Sequence, residues 1–124
     1  MSIAFWCVLI ATVMPLFWTG IAKYSGRYDN RQPRVYLAES SGYRQRAHWA
    51  QLNAFEALPG FAAAVIIAHL AGADPQWMDR LAVLFIVFRL AHGAAYVADW
   101  PSTRSAVWLG AYGSLIGLFV LAAL

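Results

Sequence analysis

The stretch SIAFWCVLIATVMPLFWTGIA, from Ser2 to Ala22, contains no charged side chain. Wound as an α-helix it rises about 31 Å, enough to cross the hydrocarbon core of a bilayer. No basic residue precedes the apolar run, and the first cation, Lys23, follows it. A signal peptide carries its charge in front, so the segment is expected to stay attached as a first span.

Working outward, the segment 23–46 carries six of the nine Lys and Arg residues, Lys23, Arg27, Arg31, Arg34, Arg44 and Arg46, with Pro33 and Ser40-Ser41-Gly42. It reads as a loop with interfacial helix fragments. A second span is expected over about 47–71, entered through His48, Gln51, Asn53 and Glu56. Gly72-Ala73-Asp74-Pro75 is a turn by composition, because proline biases the residue before it away from the helix. A third span is expected over 76–98, with Arg89 inside it and Asp99-Trp100-Pro101-Ser102 closing it. The charge-free run 105–124 supplies the fourth.

The composition agrees: 61% of the residues are hydrophobic and 12% charged, where soluble domains carry about 25% charged residues. The expected fold is all-α, a single four-helix transmembrane domain spanning 1–124 and packing with the left-handed crossings usual in membranes. The net charge of +3 does not point to nucleic acid, because the basic residues cluster in one segment. Basic loops stay in the cytoplasm, which orients the first and third loops inward and both termini outward. Cys7 stands alone, so no intramolecular disulfide forms. Neither low-complexity sequence nor an internal repeat is present.

A charge at mid-membrane costs about 2.5 to 3.5 kcal/mol on insertion scales, so Glu56 and Arg89 require a reason. Both lie about 14 to 15 Å from the basic end of their spans, and are expected to face each other or a cavity. Arg46, Trp49, Asn53 and Glu56 advance by three and four residues and share one helix face, and Arg89, His92 and Tyr96 do the same on the next span. Two polar stripes facing each other define a cleft. A structural Glu56–Arg89 ion pair is the simpler alternative, but it leaves Asn53, His92 and Tyr96 unexplained. Pro59 withdraws a backbone hydrogen bond beside Glu56. His48, His69 and His92 lack metal-ligand spacing, and no metal is expected. His69 reads as interfacial, as do Trp18, Tyr24, Trp77 and Trp100 near span ends. Gly113 and Gly117, with Ala106, Gly110 and Ser114, permit close packing of the last span.

The order Asn30-Arg31-Gln32-Pro33-Arg34, Arg46-Ala47, Asn53-x-x-Glu56-x-x-Pro59, Arg89-x-x-His92-x-x-x-Tyr96 and Arg104-Ser105 resembles the MAPEG family, the membrane-associated proteins in eicosanoid and glutathione metabolism, in its bacterial branch. The resemblance runs from about residue 23 to the end. It implies a homotrimer in the bacterial inner membrane, with sites between subunits that bind glutathione and use it on lipophilic small molecules. By position, Asn53 and Glu56 would hold glutathione, with Arg46 near the entrance and Arg89, His92 and Tyr96 in support. Arg104 matches the arginine thought to stabilise the thiolate, and Ser105 a neighbouring serine. A free thiol with a pKa near 8.5 is only a few per cent ionised at pH 7, and a nearby guanidinium favours the anion.

The chain departs from the glutathione-using pattern at Trp49, where an arginine is common, at Ala57, where an aromatic is common, and at His92, where some members have tyrosine. Three function classes follow. The first is a glutathione-dependent transferase or peroxidase, and the second a non-catalytic membrane trimer. The third is a small proton-coupled exporter with Glu56 as carrier, which would want its glutamate in the first helix rather than the second.

Overall fold

The computed structural model describes residues 1–24 and 27–124. Part of the basic loop expected over 23–46, residues 25 and 26, lies outside the described residues. Among the described residues five helices follow in order: α1 (Ile3–Lys23), α2 (Pro33–Glu39), α3 (Gly42–Leu70), α4 (Pro75–Val97) and α5 (Pro101–Ala123). All but the short α2 are long and apolar enough to cross a membrane. Lipid offers backbone groups no hydrogen bonds, and helices satisfy them internally.

Helix ends are where that satisfaction fails, and the chain repairs them in specific ways. At the start of α1, Ser2 Oγ accepts from the Phe5 N–H at 3.3 Å, while the Ala4 N–H donates to Asp79 Oδ1 of α4 at 2.9 Å. A carboxylate also suits the positive end of the helix dipole. Asp74 caps α4 by accepting from the N–H groups of Gln76 and Trp77 at 2.9 and 3.3 Å, with Pro75 occupying the first helical position. α3 ends with Gly72 at φ +73°, where the Ala73 N–H reaches Ala68 O and the Gly72 N–H reaches His69 O. That double bond is a Schellman closure. α4 ends the same way around Asp99, a non-glycine residue at φ +61°, with Trp100 N–H to Ala95 O at 2.8 Å.

These closures move the boundaries read from the sequence. The closing segment expected at 99–102 is divided: Asp99 and Trp100 form the turn, and Pro101 with Ser102 already belongs to α5. Proline's fixed φ suits a helix start, which the hydropathy pattern did not register. α3 begins at Gly42 rather than near Ala47 and continues without a break through Pro59.

The bundle alternates direction. Arg44 Nη2 donates to the Tyr24 carbonyl at 3.4 Å, joining the start of α3 to the end of α1. Arg46 Nε donates to Val97 O at 3.0 Å, joining it to the end of α4. Both arginines meet carbonyl-rich helix C-termini, where cations are favoured. The connections around α2 and between α4 and α5 therefore share one end, called here the basic end.

Between helices the core is small-residue and aromatic. Lipid tails are as apolar as leucine, so burial drives little of this association and van der Waals fit must supply it. Ala4, Ala11, Ala50, Ala54, Ala64, Ala68 and Ala82 are buried, letting α1, α3 and α4 approach closely. Phe61 and Phe85 stack at 4.0 Å between centroids with an interplanar angle of 4°. Trp18, expected at an interface, is instead 4% exposed and packed on Gly93, where a Cβ would overlap its ring. The other three expected anchors, Tyr24, Trp77 and Trp100, are exposed at helix ends. α5 leans on α4 through Gly110 against Phe88 and Gly117 against Leu81, whereas Gly113 meets open space. Polar side chains within spans help themselves: the Thr12 and Ser114 hydroxyls donate to carbonyls one turn back, Val8 O and Gly110 O.

Candidate functional site

Three helices meet toward the basic end, and two adjoining grooves open there. The smaller, of about 330 Å³, is lined by Trp49, Leu52, Asn53 and Glu56 of α3 and Tyr96 of α4. The larger, of about 440 Å³, is lined by Asn53, His92, Tyr96, Arg104, Ser105, Trp108 and Leu109. Asn53 and Tyr96 belong to both. Residues 49, 52, 53 and 56 follow helical spacing, so α3 presents them on one face as a consequence of its 3.6-residue period.

Arg89 is 3% exposed and stands behind this wall, where its Nη2 donates to Asn53 Oδ1 at 2.6 Å. The guanidinium is thus directed to Asn53 rather than to the Glu56 carboxylate, and the intrasubunit ion pair entertained from the sequence is not what joins the two stripes. Glu56 faces the smaller groove, the other outcome expected for it. A short charge-assisted hydrogen bond holds Asn53 in place, with its amide at the junction of the grooves.

In the larger groove the Arg104 guanidinium carbon lies 4.5 Å from the centre of the Tyr96 ring. Tyr96 is in turn packed against His92, with centroids 5.7 Å apart and nearly perpendicular, and against Trp49 at 6.2 Å. Stacking on a ring face attracts the cation and fixes the plane of its donors. His92 is 3% exposed, and its Nδ1 has no hydrogen-bond partner among the described residues. Such atoms are rare in buried positions.

Of the eight residues singled out in the sequence, Asn53, Glu56, His92, Tyr96, Arg104 and Ser105 line the grooves and Arg89 supports them from behind. Arg46 lines neither, and its Nε is committed to the end of α4. Trp49, Leu52, Trp108 and Leu109 were not singled out as site residues. Leu52 lies one turn from Glu56 and Trp108 one turn from Arg104, a spacing that marks the same faces, but apolar residues in an apolar span carry no contrast. Among the described residues no cluster of His, Cys, Asp and Glu gathers as metal ligands would.

The architecture and the site define a class: an integral membrane protein of four spans whose polar residues are gathered into grooves at one end of the bundle. The model of the MAPEG family matches residues 3–124, and the chain belongs to that family. The match includes α1, which the motif resemblance, starting near residue 23, did not reach. No curated protein and no solved structure matches the chain. Membership supports, at the level of the family, a membrane protein of the glutathione-related transferase or peroxidase kind.

Proposed function

We propose that the protein is a glutathione-dependent transferase or peroxidase acting on lipophilic electrophiles from within the membrane. The observation that carries this reading is the larger groove, where Arg104 is braced on Tyr96 beside Ser105 and, among the described residues, no acidic one lines the wall. Anions are favoured there. The polar lining fits glutathione: Arg104 and Ser105 for carboxylate or sulfur, and Asn53 and Glu56 for amide and ammonium groups. Trp108 and Leu109, on the outward face of α5, continue the groove onto apolar surface, which suits a second substrate arriving from lipid.

When bound, glutathione supplies a thiol nucleophile. Arg104 favours its anionic form, and lowering a thiol pKa by two units takes about 2.7 kcal/mol of differential stabilisation. For an activated aryl halide, the thiol proton passes to water, the thiolate adds to the ring carbon to form the carbon–sulfur bond, and the carbon–halogen bond then breaks with release of halide ion. Arg89 acts indirectly, by fixing Asn53.

A homotrimer in the bacterial inner membrane, with the basic loop in the cytoplasm, belongs to the same proposal. It is supported by α3, which leaves Leu52, Glu56, Pro59, Ala63, Ile66 and Leu70 exposed at alternating steps of four and three residues. Such a repeat suits a left-handed helix–helix seam, which would spare Glu56 from lipid. A non-catalytic trimer is the second reading, favoured by the aromatic Trp49 in the smaller groove.

The deciding experiment is calorimetric titration of glutathione into the detergent-purified protein, with Arg89→Ala beside it. Saturable binding that the variant loses supports the enzyme reading, whereas no heat at millimolar glutathione transfers support to the non-catalytic trimer. Turnover of a chromogenic aryl chloride then tests Arg104. If Arg104→Ala leaves the turnover number unchanged, Arg104 does not stabilise the thiolate.

A further inference from the structure

At the end of the bundle opposite the basic one, a further groove of about 360 Å³ runs between α1 and α4. It is lined by Ile3 of α1 and by Asp79, Arg80, Val83, Leu84 and Val87 of α4. Positions 80, 83, 84 and 87 share one helix face, and the apolar members of the lining are all exposed. From Arg80 to Val87 the groove extends about 10 Å along the helix. It therefore ends within the roughly 15 Å of hydrocarbon that one leaflet contributes.

The mouth of this groove is charged. The Arg80 guanidinium carbon lies 5.0 Å from the centre of the Trp77 ring, one turn nearer the start of α4. The side chain is thus directed toward the membrane surface, as basic side chains near span ends are. Beside it, Asp79 Oδ1 accepts from the Ala4 N–H at 2.9 Å, which holds the start of α1, and Ile3 with it, against α4. A carboxylate offers about four lone-pair sites, so Asp79 keeps acceptor capacity for a ligand. Adjacent positions on a helix do not face each other, so the two residues present opposite charges side by side. An anionic headgroup would gain Arg80 but meet Asp79, with Asp74 close by at the α4 cap. A headgroup carrying both signs satisfies the pair: phosphate on the guanidinium and ammonium on the carboxylate.

We propose that this groove binds a zwitterionic glycerophospholipid, with one acyl chain along Val83, Leu84 and Val87 and its headgroup across Arg80 and Asp79. The site lies at the opposite end of the bundle from the grooves around Asn53 and Tyr96, and it does not rest on the glutathione reading. The lipid would span the α1–α4 contact that Asp79 already ties, so occupancy favours the folded bundle.

The test uses the full-length protein in detergent, with native mass spectrometry reading the lipid it retains. Phosphatidylethanolamine and phosphatidylglycerol of identical acyl chains are titrated separately. Phosphatidylethanolamine affinity is expected to fall about 2- to 5-fold in Arg80→Gln and in Asp79→Asn, the scale of an exposed ion pair. Asp79→Asn keeps an amide oxygen for the Ala4 N–H, so its loss reports the charge rather than the cap. Phosphatidylglycerol should bind Asp79→Asn as well as or better than wild type. Val83→Trp fills the groove with both charges intact and should also weaken phosphatidylethanolamine; with Arg80→Gln it carries the test should Asp79→Asn not yield folded protein. Phosphatidylethanolamine affinity that any of these folded variants leaves unchanged overturns the proposal, as does an equal loss of both lipids in Asp79→Asn. Disulfide-linked dimers through Val87→Cys would place a second copy on this face and overturn it as well.

Discussion

Arg89 and Asn53 are the pair on which the site wall depends. A charged side chain that is 3% exposed and directed to one amide oxygen at 2.6 Å cannot lose that partner cheaply. Removing one side of a buried, charge-assisted hydrogen bond costs about 1.5 to 3 kcal/mol. Asn53→Leu is therefore expected to lower the thermal midpoint by more than a surface substitution, because it strands the guanidinium. Asn53→Leu with Arg89→Met should recover much of the loss, and a double-mutant cycle in detergent reads the coupling directly. At Asp99 the sign is opposite. Its φ of +61° sits in the left-handed region, where glycine carries no Cβ penalty. Asp99→Gly should raise stability by up to about 1 kcal/mol, the low end of the left-handed penalty because Asp tolerates it better than most residues. An unchanged or lowered midpoint would mean that the Asp99 carboxylate, rather than the turn geometry, matters at this corner.

At the scale of elements, helix–helix fit replaces hydrophobic burial as the source of stability, and two glycines show where it is tightest. Gly93 faces the buried Trp18 across the α1–α4 contact. Overpacking costs about 1 to 3 kcal/mol where neighbours cannot move, so Gly93→Ala should destabilise the bundle strongly. Gly113, with open space around it, should accept alanine at no cost. Comparable melting shifts for the two variants would contradict the packing described for Trp18. Asp79 couples the same helices through the Ala4 N–H. Asp79→Ala should cost about 0.5 to 2 kcal/mol as a lost cap, and measured hydrogen exchange should rise first at the start of α1.

For the whole molecule, the outward faces must meet either lipid or another copy. The α3 residues Ile66 and Leu70 and the α4 residues Val83 and Val87 are all apolar and exposed, yet the proposed trimer uses only the first pair. In a Cys7→Ser background, Leu70→Cys should form disulfide-linked dimers under mild oxidation, whereas Val87→Cys should remain monomeric on a denaturing gel. Cross-linking through Val87 with none through Leu70 would move the interface to another helix.

Hydropathy and helical spacing determined most of what is described here. Four apolar runs of membrane length, two of them charge-free, read as spans, because lipid leaves backbone groups no other partner than their own helix. The polar residues on α3 and α4 fall on shared faces because a helix repeats every 3.6 residues, which is why six of the eight candidate residues line the grooves. What the tertiary structure alone decided was the partner of each group. Glu56 and Arg89 have opposite charges at matched depth, but a difference of three residues along α3 gives Arg89 to Asn53 and leaves Glu56 to the groove. Arg46 shares the polar stripe, yet the exposed carbonyl of Val97 captures it. Trp18 has the composition of an interfacial anchor and becomes core because Gly93 opposes it. Spacing along one chain fixes faces, while partners depend on the rotation and height of the neighbouring helix, which are set only when the small residues between helices have packed.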